Sequence, residues 1–431
     1  MKILIKQGRV IDPSQEMDKV TDIFIEGGKI SRLGKVAGEK ADVTIQAEGR
    51  IVTPGLIDMH AHLREPGRED TECIESGLKA AVRGGFTTVC AMPNTEPPCD
   101  SQAQARFLLA RARAAAMANL LPVGTITRER KGLEISEMGE LKDAGCPAVS
   151  DDGDGVMNPG LMRRAMEYAA MTDLLVISHC EDKTLANSGV MHEGYFSTVL
   201  GLRPIPALAE STMVERDIQL AHLTGARLHI AHISTAESAE KVKQAKEQGI
   251  KVTAEVTPHH LVLSDEDLKT YDTNLKVNPP LRSARDVLAL KKALKDGTID
   301  AIATDHAPHL ASEKEKEFDY APFGMIGLET ALALMIMNLV DEGILSWPEL
   351  VRKLSANPAA ILKCGGGTLK EGAPADITVI DPEKKWIYAR EGILSRSSNS
   401  PFVGREMKGA VTDVIVGGRA VLKDGAICGR K

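Results

Sequence analysis

Between residues 51 and 303, short apolar runs alternate with longer segments rich in Ala, Leu, Glu, Lys and Arg. The runs fall at 51–59, 86–92, 120–126, 146–150, 174–178, 227–231, 251–256 and 299–303. Each has the length of a buried strand. Ser101 to Ala118 and Ala236 to Gln248 are examples of the helical segments between them. Eight strands alternating with helices over about 250 residues predict a (β/α)8 barrel. A doubly wound open sheet is the alternative. No Gly-x-Gly-x-x-Gly follows a strand here, which weighs against its dinucleotide-binding form.

The two ends of the chain read differently. Ala41–Gln46 alternates apolar and polar residues, and Gly27-Gly28 marks a turn. Asp376–Ile380 and Asp413–Val416 are strand-like, the second running into Gly417-Gly418. Neither end is long enough to build a good core alone. They are therefore expected to pair into one small β-sandwich. The expected boundaries are 1–53 for its N-terminal part, 54–364 for the barrel and 365–431 for its C-terminal part.

Charge and composition narrow the function. The chain carries 53 Lys and Arg against 60 Asp and Glu, a formal net charge of -7. That argues against a nucleic-acid partner and against a basic membrane-docking face. Met1–Lys6 reads as a strand rather than a signal peptide. The apolar run near Ala331 to Met337 is far short of the ~20 residues of a membrane span. Seven scattered cysteines without a Cys-x-x-Cys fit reduced thiols and a cytoplasmic home.

The metal-capable side chains fall at the predicted strand ends. His60 and His62 close the first strand, after a kink at Pro54-Gly55. Residues two apart on a strand share a face, so the two imidazoles can share a metal ion. If the extended geometry continues, Arg64 adds a fixed positive charge beside it. The fourth strand ends in Ser150-Asp151-Asp152-Gly153, the fifth in Ser178-His179, the sixth in Ala231-His232 and the eighth in Thr304-Asp305-His306. The C-terminal strand ends are where a barrel of this kind places its active site. Four histidines and two carboxylates at one mouth suit a two-metal site. There a carboxylate bridges ions held about 3.5–4 Å apart.

This set resembles the amidohydrolase superfamily and, within it, the class I dihydroorotases. The resemblance spans essentially the whole chain. Its motifs are Asp58-Met-His-Ala-His-Leu-Arg-Glu-Pro-Gly67, Met92-Pro-Asn-Thr95, Ser150-Asp-Asp-Gly153, His179-Cys-Glu-Asp182, Ala231-His-Ile-Ser234, Glu255-Val-Thr-Pro-His-His260, Asn278-Pro-Pro-Leu-Arg282, Ala303-Thr-Asp-His-Ala-Pro-His309 and Ala321-Pro-Phe-Gly324. The resemblance implies that His60, His62 and Asp305 hold one zinc ion and that His179 and His232 hold a second, with Asp152 bridging both. Asp151 competes for the bridging role at this stage. Many amidohydrolases bridge with a carbamylated lysine instead, and Lys142 lies too far back in the chain for that.

The implied reaction is the reversible cyclisation of N-carbamoyl-L-aspartate to L-dihydroorotate, a step of de novo pyrimidine (UMP) biosynthesis. A metal-bound hydroxide serves as nucleophile, and Asp305 serves as general base and acid. Arg64 offers a planar fork for the substrate carboxylate, completed by Asn94 and His309. His62 also faces the substrate. Asn278 and the backbone at Phe323-Gly324 would read the amide edges of the ring. The charged stretch 310–320 is expected to act as a lid. His192, His222 and His229 have no partner motif, and His229, three residues before His232, is expected to face away from it and be packed. His259, His260 and His306 are expected in supporting roles, and Cys180 as a buried thiol. The rival functions are allantoinase or dihydropyrimidinase, whose substrates lack this carboxylate, and a non-catalytic scaffold for aspartate carbamoyltransferase. A homodimer and a carbamoyltransferase complex are both compatible with the sequence.

Overall fold

The computed structural model describes residues 1–36 and 39–428. Eight parallel strands line up in chain order: Leu56–Ala61 (β1), Phe86–Ala91 (β2), Asn119–Gly124 (β3), Ala148–Val149 (β4), Leu175–Ser178 (β5), Arg227–Ile230 (β6), Val252–Val256 (β7) and Ala301–Ile302 (β8). A parallel bridge from Ala61 to His306 and a 2.8 Å bond from His62 N–H to the His306 carbonyl join the last strand to the first. The expected barrel is therefore what the chain forms. Its seam closes at the mouth, beside the histidines.

Local chemistry sets the elements. The helix expected from Ser101 runs over Gln102–Ala115, because the Ser101 hydroxyl caps it by accepting from Gln104 N–H. It stops where Ala116 turns left-handed. The helix expected at Ala236 to Gln248 runs over Ala236–Glu247, capped by Thr235.

The apolar run 51–59 serves two sheets. Ile51–Pro54 pairs with Arg9 and Val10 on one side and with Ile377–Ile380 on the other. After Gly55 the chain enters the barrel as β1. Gly55 packs directly on Thr87, where any side chain would collide.

The two termini join, as expected, in one nine-stranded sheet. Lys2–Asp12, Met17–Glu26, Lys29–Leu33 and Val43–Gln46 come from the N-terminal side. Ile377–Ile387, Glu406–Val416, Arg419–Lys423 and Ala426–Ile427 come from the C-terminal side. Ile3, Ile5, Ile23, Ile25, Val52, Ile377, Val379 and Ile415 form its buried core. Each such side chain contributes about 1.5–3 kcal/mol by leaving water, which holds the two distant ends together. The connection 388–405 leaves this sheet and runs to the barrel mouth. Among the described residues, no helix is long and apolar enough to cross a membrane.

Candidate metal centre and substrate pocket

His60, at the end of β1, is fully buried. Its Nδ1 lies 2.8 Å from Glu255 Oε1, on β7. A carboxylate there fixes the proton on Nδ1, so the Nε2 lone pair faces the mouth. His62 repeats the arrangement, with Nδ1 2.8 Å from Asn94 Oδ1 and Nε2 3.0 Å from Asp305 Oδ1. His179 and His232 close the other side, with Nδ1 of the first 2.9 Å from Nε2 of the second.

Asp152 sits in the middle. Its oxygens lie 3.2 Å from His60 Nε2, 3.4 Å from His62 Nε2, 3.6 Å from His179 Nδ1 and 3.4 Å from His232 Nε2. His60 Nε2 and Asp152 Oδ1 are buried without a hydrogen-bond partner among the described residues. Ligand atoms of His60, His62 and Asp305 lie within 4.8 Å of one another, as do those of His60, Asp152 and His232. Electron pairs pointed at one another in a buried space, without donors between them, need a cation. The donor set fits divalent metal ions.

Electrostatics agree with the geometry. Burial opposes charge on Asp305, but its bond to His62 and the nearby His60 hold its carboxyl below the usual carboxylate range. Asp152 is likewise pushed well down against burial, by His60, His179 and His232. Glu255, despite burial, is held at about 2 by its bonds to His229 and His60. The cluster thus keeps its carboxylates charged, as cation ligands must be.

Asp151 and Asp152 point in different directions. Asp151 accepts from Ile126 N–H at 2.8 Å, from Thr127 N–H at 3.0 Å and from the Thr127 hydroxyl. It serves the turn after β3, while Asp152 faces the histidines. Lys142 is exposed on the helix Met138–Asp143, away from the site.

Above the cluster lies a cavity of about 380 Å³. His62, Arg64, Asn94, Asp152, His179, His232, Asn278, Asp305, His309, Phe323 and Gly324 all line it. Of the candidate residues only His60 does not, because it lies beneath the floor. The condition of extended geometry set for Arg64 is not met. Its φ of 59° turns the chain left-handed, and the guanidinium swings over the cavity. Its Nε donates to the Pro308 carbonyl at 3.2 Å, and its Nη2 lies 3.3 Å from His309 Nε2. Burial brings the Arg64 pKa down to about 10, leaving it charged. Burial, then the charge of Arg64, keeps His309 neutral by lowering its pKa. Gly324 has a φ of 129°, and a Cβ there would meet Ala307 Cβ at 2.7 Å.

The stretch 310–320 is fastened in place. Lys276 donates to the carbonyls of Phe318 and Asp319 at 2.7 and 3.1 Å. Lys314 is buried and donates to the Pro322 carbonyl at 2.8 Å. Arg68 pairs with Glu313 at 2.7 Å.

Two supporting residues, Glu255 and Asp58, carried no assigned role in the sequence. Glu255 joins His60 to His229, whose Nε2 is 3.1 Å from Glu255 Oε2. His229 is buried, but it shares this network rather than packing apart from it. The reason is that the chain leaves extended geometry at His232, with a φ of 30°. Asp58 ties β1 to the end of β8, accepting from Thr304 N–H at 2.9 Å and from its hydroxyl at 2.6 Å. An acidic residue inside an otherwise apolar strand was the available signal for both. His306 and His260 are buried supports, the first 3.3 Å from Glu72 and the second 2.9 Å from the Pro279 carbonyl. Cys180 is a buried thiol beside Ser178.

Residues 49–238 match the family described as Dihydro-orotase-like. Dihydroorotases of Geobacter metallireducens and Pelotomaculum thermopropionicum are 54% and 53% identical to this chain, over 98% and 99% of it and 100% of each relative. Among solved structures, L-hydantoinase (dihydropyrimidinase) from Arthrobacter aurescens superposes with a TM-score of 0.90. It is 25% identical and covers 99% of this chain and 97% of its own. A D-hydantoinase gives 0.85 at 25% identity, over 100% of this chain and 97% of its own. The hydantoinases share the fold, while the full-length identities place the sequence: the chain belongs to the dihydroorotase family.

Proposed function

We propose that this protein is a zinc-dependent dihydroorotase, interconverting N-carbamoyl-L-aspartate and L-dihydroorotate in de novo pyrimidine biosynthesis. The observation that carries this reading is the meeting, in one cavity, of the histidine–carboxylate cluster with the half-buried guanidinium of Arg64. His60, His62 and Asp305 would hold one zinc ion and His179 and His232 the second, with Asp152 between them. When bound, the ions supply Lewis acidity, which activates water near neutral pH and polarises the scissile carbonyl. The barrel, residues 54–364, would carry this chemistry, framed by 1–53 and 365–431.

The chain's own residues do the rest. Arg64 spends Nε and Nη2 on Pro308 and His309, which fixes the guanidinium and leaves Nη1 for the substrate carboxylate. Asn94 accepts from His62 through Oδ1, so its amide N–H groups remain for the substrate. Neutral His309, Asn278 and the backbone at Phe323-Gly324 complete the grip on the ring. In hydrolysis, water attacks the ring carbonyl and the C–N bond breaks. Charged Asp305 carries one water proton to the departing nitrogen, and cyclisation reverses each step.

A dihydropyrimidinase-like activity fits the fold but gives Arg64 no partner. No lysine lines the cavity among the described residues. A non-catalytic scaffold would not need the complete ligand set. The seven cysteines form no disulfide among the described residues, which supports a cytoplasmic home. Purified protein is expected to convert dihydroorotate to carbamoyl aspartate, to lose the activity on chelation and to regain it with Zn²⁺. Turnover of dihydrouracil, hydantoin or allantoin, with none of dihydroorotate, would reassign the substrate.

A further inference from the structure

Asn399 belongs to the connection 388–405, outside the barrel, and does not itself line the substrate cavity. It is 4% exposed. Both ends of its amide are engaged. Oδ1 accepts from His309 N–H at 3.1 Å, and Nδ2 donates to the carbonyls of Ala307 at 3.0 Å and Gly324 at 3.1 Å. The Asn399 carbonyl in turn accepts from Ile326 N–H at 3.0 Å. One side chain therefore fastens together two loops, the one that follows β8 and the one that carries Phe323 and Gly324. A planar amide with an acceptor and two donors suits this set, and a hydroxyl cannot make all three bonds.

The connection that presents Asn399 is itself anchored. Leu394 N–H and Ser395 N–H donate to Glu329 Oε1 at 2.9 and 3.3 Å. The Ser395 hydroxyl reaches Glu72, and the Ser397 hydroxyl donates to the Thr71 carbonyl at 2.7 Å. Asn399 thus stands on a frame fixed to the barrel at three points, which is what precise placement of a binding loop requires.

We propose that Asn399 is a positioning residue for substrate binding, holding the backbone of His309 and Gly324 where the ring and its carboxylate dock. The proposal rests on the reading that these two residues bind dihydroorotate. It places the effect of Asn399 on substrate affinity, because none of its bonds touches a metal-ligand side chain.

The test uses purified, zinc-loaded protein and dihydroorotate. Asn399→Ala is expected to raise KM about tenfold and Asn399→Ser about threefold, as one or more buried bonds are lost. Asn399→Asp is expected to raise KM further, since a carboxylate would face two carbonyls without donors. For the Ala and Ser variants kcat should stay within about twofold of the parent, and metal content should be unchanged. Val379→Ala, in the buried core of the terminal sheet and away from the substrate loops, should lower Tm and leave KM alone. A wild-type KM in folded Asn399→Ala, or an equal KM rise in Val379→Ala, overturns the proposal. If Asn399→Ala does not fold, Asn399→Ser decides the matter by the same criteria. A parent protein without dihydroorotase activity overturns the functional reading, and this proposal with it.

Discussion

On the floor of the cavity, each candidate metal ligand lies in a barrel strand or within three residues of its end. His60 lies in β1, His179 follows β5 directly, and Asp152 and Asp305 come three residues after β4 and β8. The outer rim is built otherwise. Asn278, His309, Phe323 and Gly324 sit on longer loops, and Lys276, Lys314 and Asn399 hold those loops from behind. The floor inherits its geometry from the closed barrel, so it is as rigid as the sheet. The rim is held by individual hydrogen bonds, each with a net worth of about 0.5–1.5 kcal/mol. Damage to the floor should therefore appear in turnover and metal content, and damage to the rim in KM and local stability.

The sharpest way to break this division is at Asp305. Asp305→Ala is expected to lower kcat about 10³-fold while circular dichroism and Tm stay near the parent values. Metal content measured on the same sample separates a lost proton carrier from a lost ligand. A rate within tenfold of the parent would move the proton transfer to another group.

A smaller effect is expected one layer beneath the floor. Glu255→Gln removes the charge that holds the Nδ1 proton of His60 while keeping the side chain's shape. Zinc affinity should fall about 10–100-fold, measured by competition with a chelator, with KM for dihydroorotate unchanged once zinc is saturating. Unchanged zinc affinity would show that His60 is oriented by packing alone.

The same division explains what could be read in the sequence. The barrel was legible because buried parallel strands are short apolar runs, and helices between them repeat on a different period. The floor was legible because His60, His62, His179, His232, Asp152 and Asp305 are local to those runs. Whether Asp151 or Asp152 faces the cluster was not, because that depends on Thr127 and Ile126, which belong to the neighbouring strand-end turn. Arg64 was expected beside the cluster on the condition of extended geometry; it lines that cavity through a left-handed turn, which leaves no periodic trace in the sequence. The hold of Asn399 on His309 spans 90 residues, and only tertiary structure creates it.

The rim supplies the smallest effect, and it is one of pH. Lys314 lies under the stretch 310–320, and burial pushes its pKa from 10.5 down to about 7. The unfolded chain therefore binds a proton at this residue over the window from about pH 7 to 10.5, where the folded chain has released it. Stability from this group rises with pH across that window, by at most about 1.4 kcal/mol per pH unit, and the gain is absent below it. Lys314→Met keeps the length of the side chain but removes both the titration and the bond to the Pro322 carbonyl. Urea unfolding at pH 7 and pH 9 should show a smaller gain with pH in the variant than in the parent. KM should rise only about twofold, because Lys276 still holds the strap at Phe318 and Asp319. An equal gain in both proteins would mean that Lys314 stays charged when folded. Its stretch would then be held by an ammonium in contact with water rather than by a buried amine.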